Sequence, residues 1–207
     1  MSTKQTIAII GASGKVGTAI SKSLSKGNYR LLLCSDEWTK AQAVANEITT
    51  SIPAADVEAL QCSAEATWEA DIIIIATPYA VQQEIALKIK DFANQKVVIS
   101  IASPLTETVN GVTAASEISA AEELQQLLPN SKVVKAFNTT LATDVTSPII
   151  DGKQIDVFIA GNDTEALQVV SELLSTAGFN PIIAGSLSIS RTLESHAAFV
   201  GSLNRVA

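Results

Sequence analysis

In "TIAIIGASGKVGTAI" (residues 6–20) an apolar run leads into Gly11, Gly14 and Gly17, set three apart, and then into a helical pattern. Each glycine has a separate use in binding an anion. Gly11 permits a sharp turn, Gly14 lets backbone come close to a bound group, and Gly17 lets the helix pack tightly. Amides of residues 13–16 then point at the ligand, with the helix dipole adding to the attraction. A triphosphate loop would need Ser or Thr after Gly14-Lys15, where Val16 stands, and a glycine at position 9, where Ile9 stands. A dinucleotide diphosphate is the better occupant, cradled by Gly11, Ala12, Ser13, Gly14, Lys15 and Val16. The alternative is a glycine turn kept for packing only.

Other residues fit the same ligand. Asp36 follows the second strand about 20 residues past the turn, where an acid accepts hydrogen bonds from the adenosine ribose 2′-OH and selects NAD. A 2′-phosphate there meets Asp36 and Glu37 and is repelled. Short-chain reductase chemistry is excluded, because it needs a tyrosine four residues before a lysine, and Leu33 and Gln83 stand four past Tyr29 and Tyr79. The single histidine, His196, reads as a packing or surface residue. Cys34 and Cys62 lack C-x-x-C spacing and read as small buried thiols. No recognisable set of metal ligands is present.

These residues must be held by strands and helices, and the chain alternates the two throughout. Strands are expected at about 5–10, 29–34, 57–61, 71–76, 96–101, 132–136, 155–160 and 181–184. Helical faces lie between them: Val16, Ile20 and Leu24; Ala43, Val44 and Ile48; Ile85 and Ile89. Ser119 with Glu122 forms a capping box, and Asn162 with Glu165 repeats the spacing. Residues 103–117 carry the least pattern and read as a surface excursion. The expected fold is α/β, a Rossmann-type doubly wound parallel sheet with a short C-terminal α/β extension. The 207 residues fit one domain, 1–207, with about 137–207 as a small C-terminal lobe.

In such a sheet, ligand lies across the carboxyl ends of the strands where their order reverses. Ala76-Thr77-Pro78 and Ile101-Ala102-Ser103 end neighbouring strands, so Ala76, Thr77, Pro78, Ala102 and Ser103 are expected beside the nicotinamide. Asn138, Thr139 and Thr140 close the sixth strand at the same level. Ser190 and Arg191 begin the last helix. The Arg191 fork suits an anionic substrate group or, alternatively, a pair with Glu194.

Bulk composition narrows the partners. Hydrophobic residues make up 47% and charged ones 17%, with a net charge of −7, which argues against nucleic acid or an acidic membrane surface as partner. No signal peptide is seen, and the aliphatic run at 72–76 is too short to span a bilayer. A cytoplasmic protein is expected.

Beyond the glycines, "IAIIGASGKVG", "DIIIIATPY", "KVVISIASP", "SKVVKAFNTTLA", "DVFIAGNDTEA" and "AGSLSISRTLE" follow one another in order. With them the chain resembles the NADPH-dependent reductases of the deazaflavin coenzyme F-420, and the related cytosolic domain of STEAP-type ferric reductases. The resemblance implies hydride exchange between a nicotinamide (NADP or NAD) and a deazaflavin- or flavin-like small-molecule acceptor. It also implies that Asn138–Thr140 and the 190–191 segment face the acceptor, and that Ser35 and Lys40 match the family's 2′-phosphate contacts. Asp36, however, replaces the family's arginine. A homodimer could complete the small acceptor lobe. The alternative is a non-catalytic dinucleotide-binding redox sensor.

Overall fold

The computed structural model describes residues 4–108, 111–114, 118–137, 148–150 and 152–203. Its first half alternates β1 (Gln5–Ile10), α1 (Lys15–Leu24), β2 (Tyr29–Cys34), α2 (Trp38–Ser51), β3 (Asp56–Ala59), α3 (Ser63–Glu69), β4 (Ile72–Ile75), α4 (Gln82–Ile89) and β5 (Val97–Ser100). A hairpin, β6 (Leu105–Thr108) and β7 (Gly111–Ala114), precedes α5 (Ala120–Leu127) and β8 (Lys132–Lys135). After β9 (Ile149–Ile150) and β10 (Lys153–Gln154) come β11 (Asp156–Gly161), α6 (Thr164–Thr176), β12 (Asn180–Gly185) and α7 (Ser190–Leu203).

All eight expected strands are present and form one sheet, ordered β12-β11-β8-β5-β4-β1-β2-β3. Both faces are covered, which explains the unbroken aliphatic runs. Ile7 and Ile9 of β1 face Ile20 and Leu24 of α1 and Val44 and Ile48 of α2. Ala8 and Ile10 face the other way, toward Ala66 of α3 and Ala86 and Ile89 of α4. Ile72–Ile75 of β4 lie at the centre and are fully buried.

Strand direction departs from the parallel expectation at one place. β11 runs antiparallel to β8, and β12 then pairs parallel to β11. Apolar alternation carries no information about direction, so nothing local marked the reversal. Residues 103–117, expected as an unpatterned excursion, hold the β6–β7 hairpin, and α3 escaped notice because it is only seven residues long.

The capping box forms as expected. The Ser119 Oγ accepts from the Glu122 amide at 3.1 Å, and the Ser119 amide donates to Glu122 Oε2 at 2.9 Å. Ser119→Ala should therefore lower stability by about 1 kcal/mol, seen as a reduced urea midpoint with unchanged slope; an unmoved midpoint would show the box to be idle. At α6 the cap is Asp163, which accepts from the Ala166 amide at 2.8 Å, and not Asn162. The Asn162 carbonyl oxygen instead accepts from the Leu187 amide at 3.0 Å, joining the start of α6 to the turn before α7.

Candidate functional site

A cleft of about 540 Å³ opens where the strand order reverses, between β1 and β4. Its walls come from strand ends: Gly11, Ser13 and Gly14 after β1, Ser35 and Asp36 after β2, and Ala76, Thr77 and Pro78 after β4. Sequence reasoning placed all eight of these at the site. Ala12 is fully buried beneath the turn, while Lys15, Val16, Lys40, Ala102 and Ser103 lie off the cleft wall.

The three glycines stand in different surroundings. Gly11 has φ +90°, and a Cβ there would sit 2.5 Å from the Ala76 carbonyl oxygen. The Gly11 and Ala12 amides both donate to the Cys34 carbonyl at 2.9 Å, fixing the turn to the end of β2. At Gly17 a Cβ would collide with the Gly11 carbonyl oxygen, so this glycine packs the helix on the turn rather than on the sheet. Gly14 is different. A Cβ there meets nothing closer than the Gly11 oxygen at 3.4 Å, so the protein itself tolerates a side chain. What remains to demand a glycine is a group approaching from the cleft.

One detail of the expected amide cradle changes. The Gly14 amide is used within the turn, donating to the Gly11 carbonyl at 3.1 Å. The first bond of α1 runs from the Thr18 amide to the Gly14 carbonyl at 2.8 Å, which leaves the Lys15 and Val16 amides without an intrahelical partner. Gly14 caps the helix with no side chain. An anion is the natural acceptor there.

At the end of β2, Ser35 Oγ donates to Asp36 Oδ1 at 2.8 Å and lies 2.5 Å from Ser13 Oγ, linking the glycine turn to the acid. The Ser35 hydroxyl and then the Glu37 amide hold the Asp36 carboxyl below the usual carboxylate range, so it stays charged and accepts hydrogen bonds. The Lys40 ammonium is paired with Glu37 at 2.6 Å. At the opposite wall the buried Thr77 hydroxyl has no partner among the described residues. An orphaned hydroxyl, a glycine with open space and free amides suit a polar, phosphate-bearing ligand.

Several wall residues were not foreseen: Gln61 and Ser63 at the start of α3, and Val81, Glu84, Ile85 and Lys88 along α4 and the turn before it. The available signal was Val81 and Ile85, an apolar pair four apart shortly after Pro78. Cys34 lies on the floor, its thiol pushed up to about 12 by burial, whereas Cys62 is exposed, contrary to expectation. Trp38 covers a sheet edge, its indole donating to the Ala59 carbonyl at 3.2 Å. His196 is exposed. No cluster of metal ligands occurs among the described residues.

On the expected acceptor side, Asn138, Thr139 and Thr140 lie outside the described residues. Ser190 is fully buried, and its hydroxyl has no partner among the described residues. Arg191 does not pair with Glu194. Its Nε and Nη2 donate to Glu122 Oε2 and Oε1 at 2.8 and 2.7 Å, which ties α7 to the capping box of α5. The Arg191 guanidinium holds the Glu122 carboxyl down to about 2, against an ordinary 4.5. Because the folded value is the lower one, the pair stabilises fully above about pH 4.5 and its contribution fades as pH falls toward 2. The stability gap between wild type and Glu122→Gln should close over that window in urea titrations; a gap independent of pH would mean the carboxylate charge plays no part.

Glu194 is instead buried against Lys135, at 3.0 Å, with both side chains closed to solvent. Lys135 also donates to the Ala102 carbonyl, and Glu194 Oε2 accepts from the Ala120 amide at 2.8 Å. Lys135 was not singled out from sequence, and Glu194 only as an alternative partner for Arg191. The signal was a lysine ending a strand whose neighbours are covered on both faces.

An open, mostly parallel sheet with a glycine turn and a cleft at its order reversal defines a Rossmann-type protein. Residues 6–104 match the family described as "NADP oxidoreductase coenzyme F420-dependent". The F420-dependent NADP reductase of Methanocaldococcus jannaschii is 29% identical, over 96% of this chain and 92% of that one. A 74-residue stretch is 40% identical to the rat metalloreductase STEAP3, covering 36% of this chain and 15% of that protein. A solved structure from Arthrobacter sp. FB24, named provisionally as an F420-dependent NADP reductase, superposes with a TM-score of 0.78 at 24% identity, over 96% of this chain and 94% of that one. Over nearly its whole length, then, the chain is similar to an F420-dependent NADP reductase, and its first half matches that family.

Proposed function

We propose that this protein is an oxidoreductase that moves a hydride between a nicotinamide dinucleotide, NADP or NAD, and a deazaflavin- or flavin-like acceptor. The observation that carries the reading is the single cleft joining the Gly11–Gly14 turn, the Ser35–Asp36 pair and the Thr77–Pro78 strand end. The diphosphate lies on the amides after Gly14, and the adenosine ribose on Asp36. Val81 and Ile85 offer an apolar wall to the adenine, and Thr77 with Ala102 and Ser103 borders the nicotinamide. The dinucleotide supplies the two electrons as a hydride, and solvent supplies or takes the accompanying proton. The protein contributes proximity and ring alignment.

Asn138–Thr140 and the 190–191 segment belong to the acceptor side in this reading, within a single domain whose residues from about 137 onward form the small lobe. A homodimer completing that lobe, in the cytoplasm, fits the same reading. No described helix is long and apolar enough to cross a membrane. The test is a hydride-transfer assay with NADPH and NADH against a panel of deazaflavins and flavins. Acceptor-dependent oxidation of either nicotinamide is expected. Tight dinucleotide binding with no acceptor reduced would identify a redox-sensing module instead.

A further inference from the structure

Lys135 is a fully buried lysine at the carboxyl end of β8, on the sheet face that β8 shares with α5. It stands in register with Ser100, the last residue of β5, and reaches past it to the Ala102 carbonyl. Ser100 in turn pairs with Ile75 of β4. Ala102 and Thr77, each two residues on, therefore leave the sheet side by side at the rim assigned above to the nicotinamide. On its other side Lys135 meets Glu194 of α7, whose carboxylate also takes the first amide of α5. One buried ion pair thus joins the β5 end, α5 and α7.

Stability alone is a poor reason for such a pair. Burying two charges carries a desolvation cost that a well-packed apolar pair of similar volume avoids. An apolar pair would lose two contacts, the Ala120 amide's bond to Glu194 and the Lys135 bond to Ala102, and of these only the second reaches the cleft side of the sheet. We propose that Lys135 is a positioning residue, clamping the Ala102 carbonyl so that the loop after β5 presents a fixed wall to the nicotinamide ring. The proposal rests on the dinucleotide reading above.

The test separates the nicotinamide from the rest of the ligand. Binding of NADPH and NADH is compared with that of 2′-phospho-ADP-ribose and ADP-ribose, which lack the ring. The variant is Lys135→Met combined with Glu194→Gln, which removes both charges and keeps an acceptor for the Ala120 amide. It should weaken the preferred dinucleotide about tenfold, the scale of one lost hydrogen bond to a charged group, and leave its ring-less counterpart within about twofold. The fluorescence of bound reduced nicotinamide should move toward that of the free form.

A second readout needs no variant. Burial lowers the Lys135 ammonium to about 8, with Glu194 opposing the shift, so its charge is lost as pH rises through that value. The other charged or titratable groups on the elements packed there are Glu122 and Glu123 of α5, Arg191 and the exposed His196 of α7, Lys132 at the start of β8, paired with Glu165, and Tyr79 before α4. Glu122 is held low, Arg191 is raised, and Tyr79 is pushed up to about 12 by its bond to Glu123. Between about pH 7 and 9.5 wild-type affinity for the dinucleotide should fall roughly fivefold, as a charge-assisted bond becomes a neutral one, with ADP-ribose unchanged. Equal weakening of both ligand types, or a flat dinucleotide profile, overturns the clamp. Wild type that binds neither ligand type sinks the functional reading itself, whereas wild type that binds both equally removes the nicotinamide wall and this inference with it.

Discussion

Gly11→Ala should abolish measurable dinucleotide binding, and Gly14→Ala should do nearly the same while leaving the fold intact. The two glycines stand three positions apart and have different roles. At Gly11 the new Cβ meets a backbone oxygen at 2.5 Å, with φ at +90°, so the turn must move. A left-handed alanine costs about 1–2 kcal/mol before that clash is counted, and the melting temperature should drop. The oxygen it strikes is that of Ala76, on the opposite cleft wall, so binding suffers as well. At Gly14 the Cβ meets only the Gly11 oxygen at 3.4 Å, an ordinary contact. Its melting temperature should stay within a few degrees of wild type, yet the methyl group stands where a diphosphate would touch backbone. A loss of about a hundredfold, roughly 2.7 kcal/mol, is expected by calorimetric titration. Undiminished binding by Gly14→Ala would mean that nothing approaches that amide, and the glycine turn would revert to a packing device.

Asp36→Arg should turn the cofactor preference toward NADPH by about a hundredfold in the ratio of dissociation constants. The wild-type carboxylate is ionised at every physiological pH, because Ser35 and the Glu37 amide stabilise its charge. A 2′-phosphate would meet that charge, and the cations on this side, Lys40 beside Asp36 and Lys88 on the cleft wall, are already paired with Glu37 and Glu84, each at 2.6 Å. The arginine fork reverses the sign and matches phosphate geometry. Asp36 is exposed, so the change should leave stability almost untouched. Affinities for NADPH and NADH, measured on both proteins, decide the matter. An unchanged ratio would place the adenosine ribose away from Asp36.

How much of this was legible beforehand follows from the range of each interaction. The eight strands, the glycine turn and the Ser119–Glu122 box depend on patterns a few residues long, and each appeared where expected. Asp163 displaced Asn162 as a cap because adjacent residues are both competent, and the choice fell to which one a distant partner, the Leu187 amide, could occupy. A pair of Arg191 with Glu194 was the alternative to an anion-binding role, because the two lie one helical turn apart. The packing of α7 on α5 instead turned it toward Glu122, 69 residues away.

From the amino-acid order alone came the layered α/β architecture, the glycine turn after β1 and the acid beyond β2, since each is dictated by periodicity or by backbone requirements within one element. Only the folded chain decided the direction of β11, the α4 wall of the cleft and the burial of Lys135 with Glu194. Those depend on which side chains from distant segments exclude water together, and the free energy of burying a charge is set by partners that no local window contains.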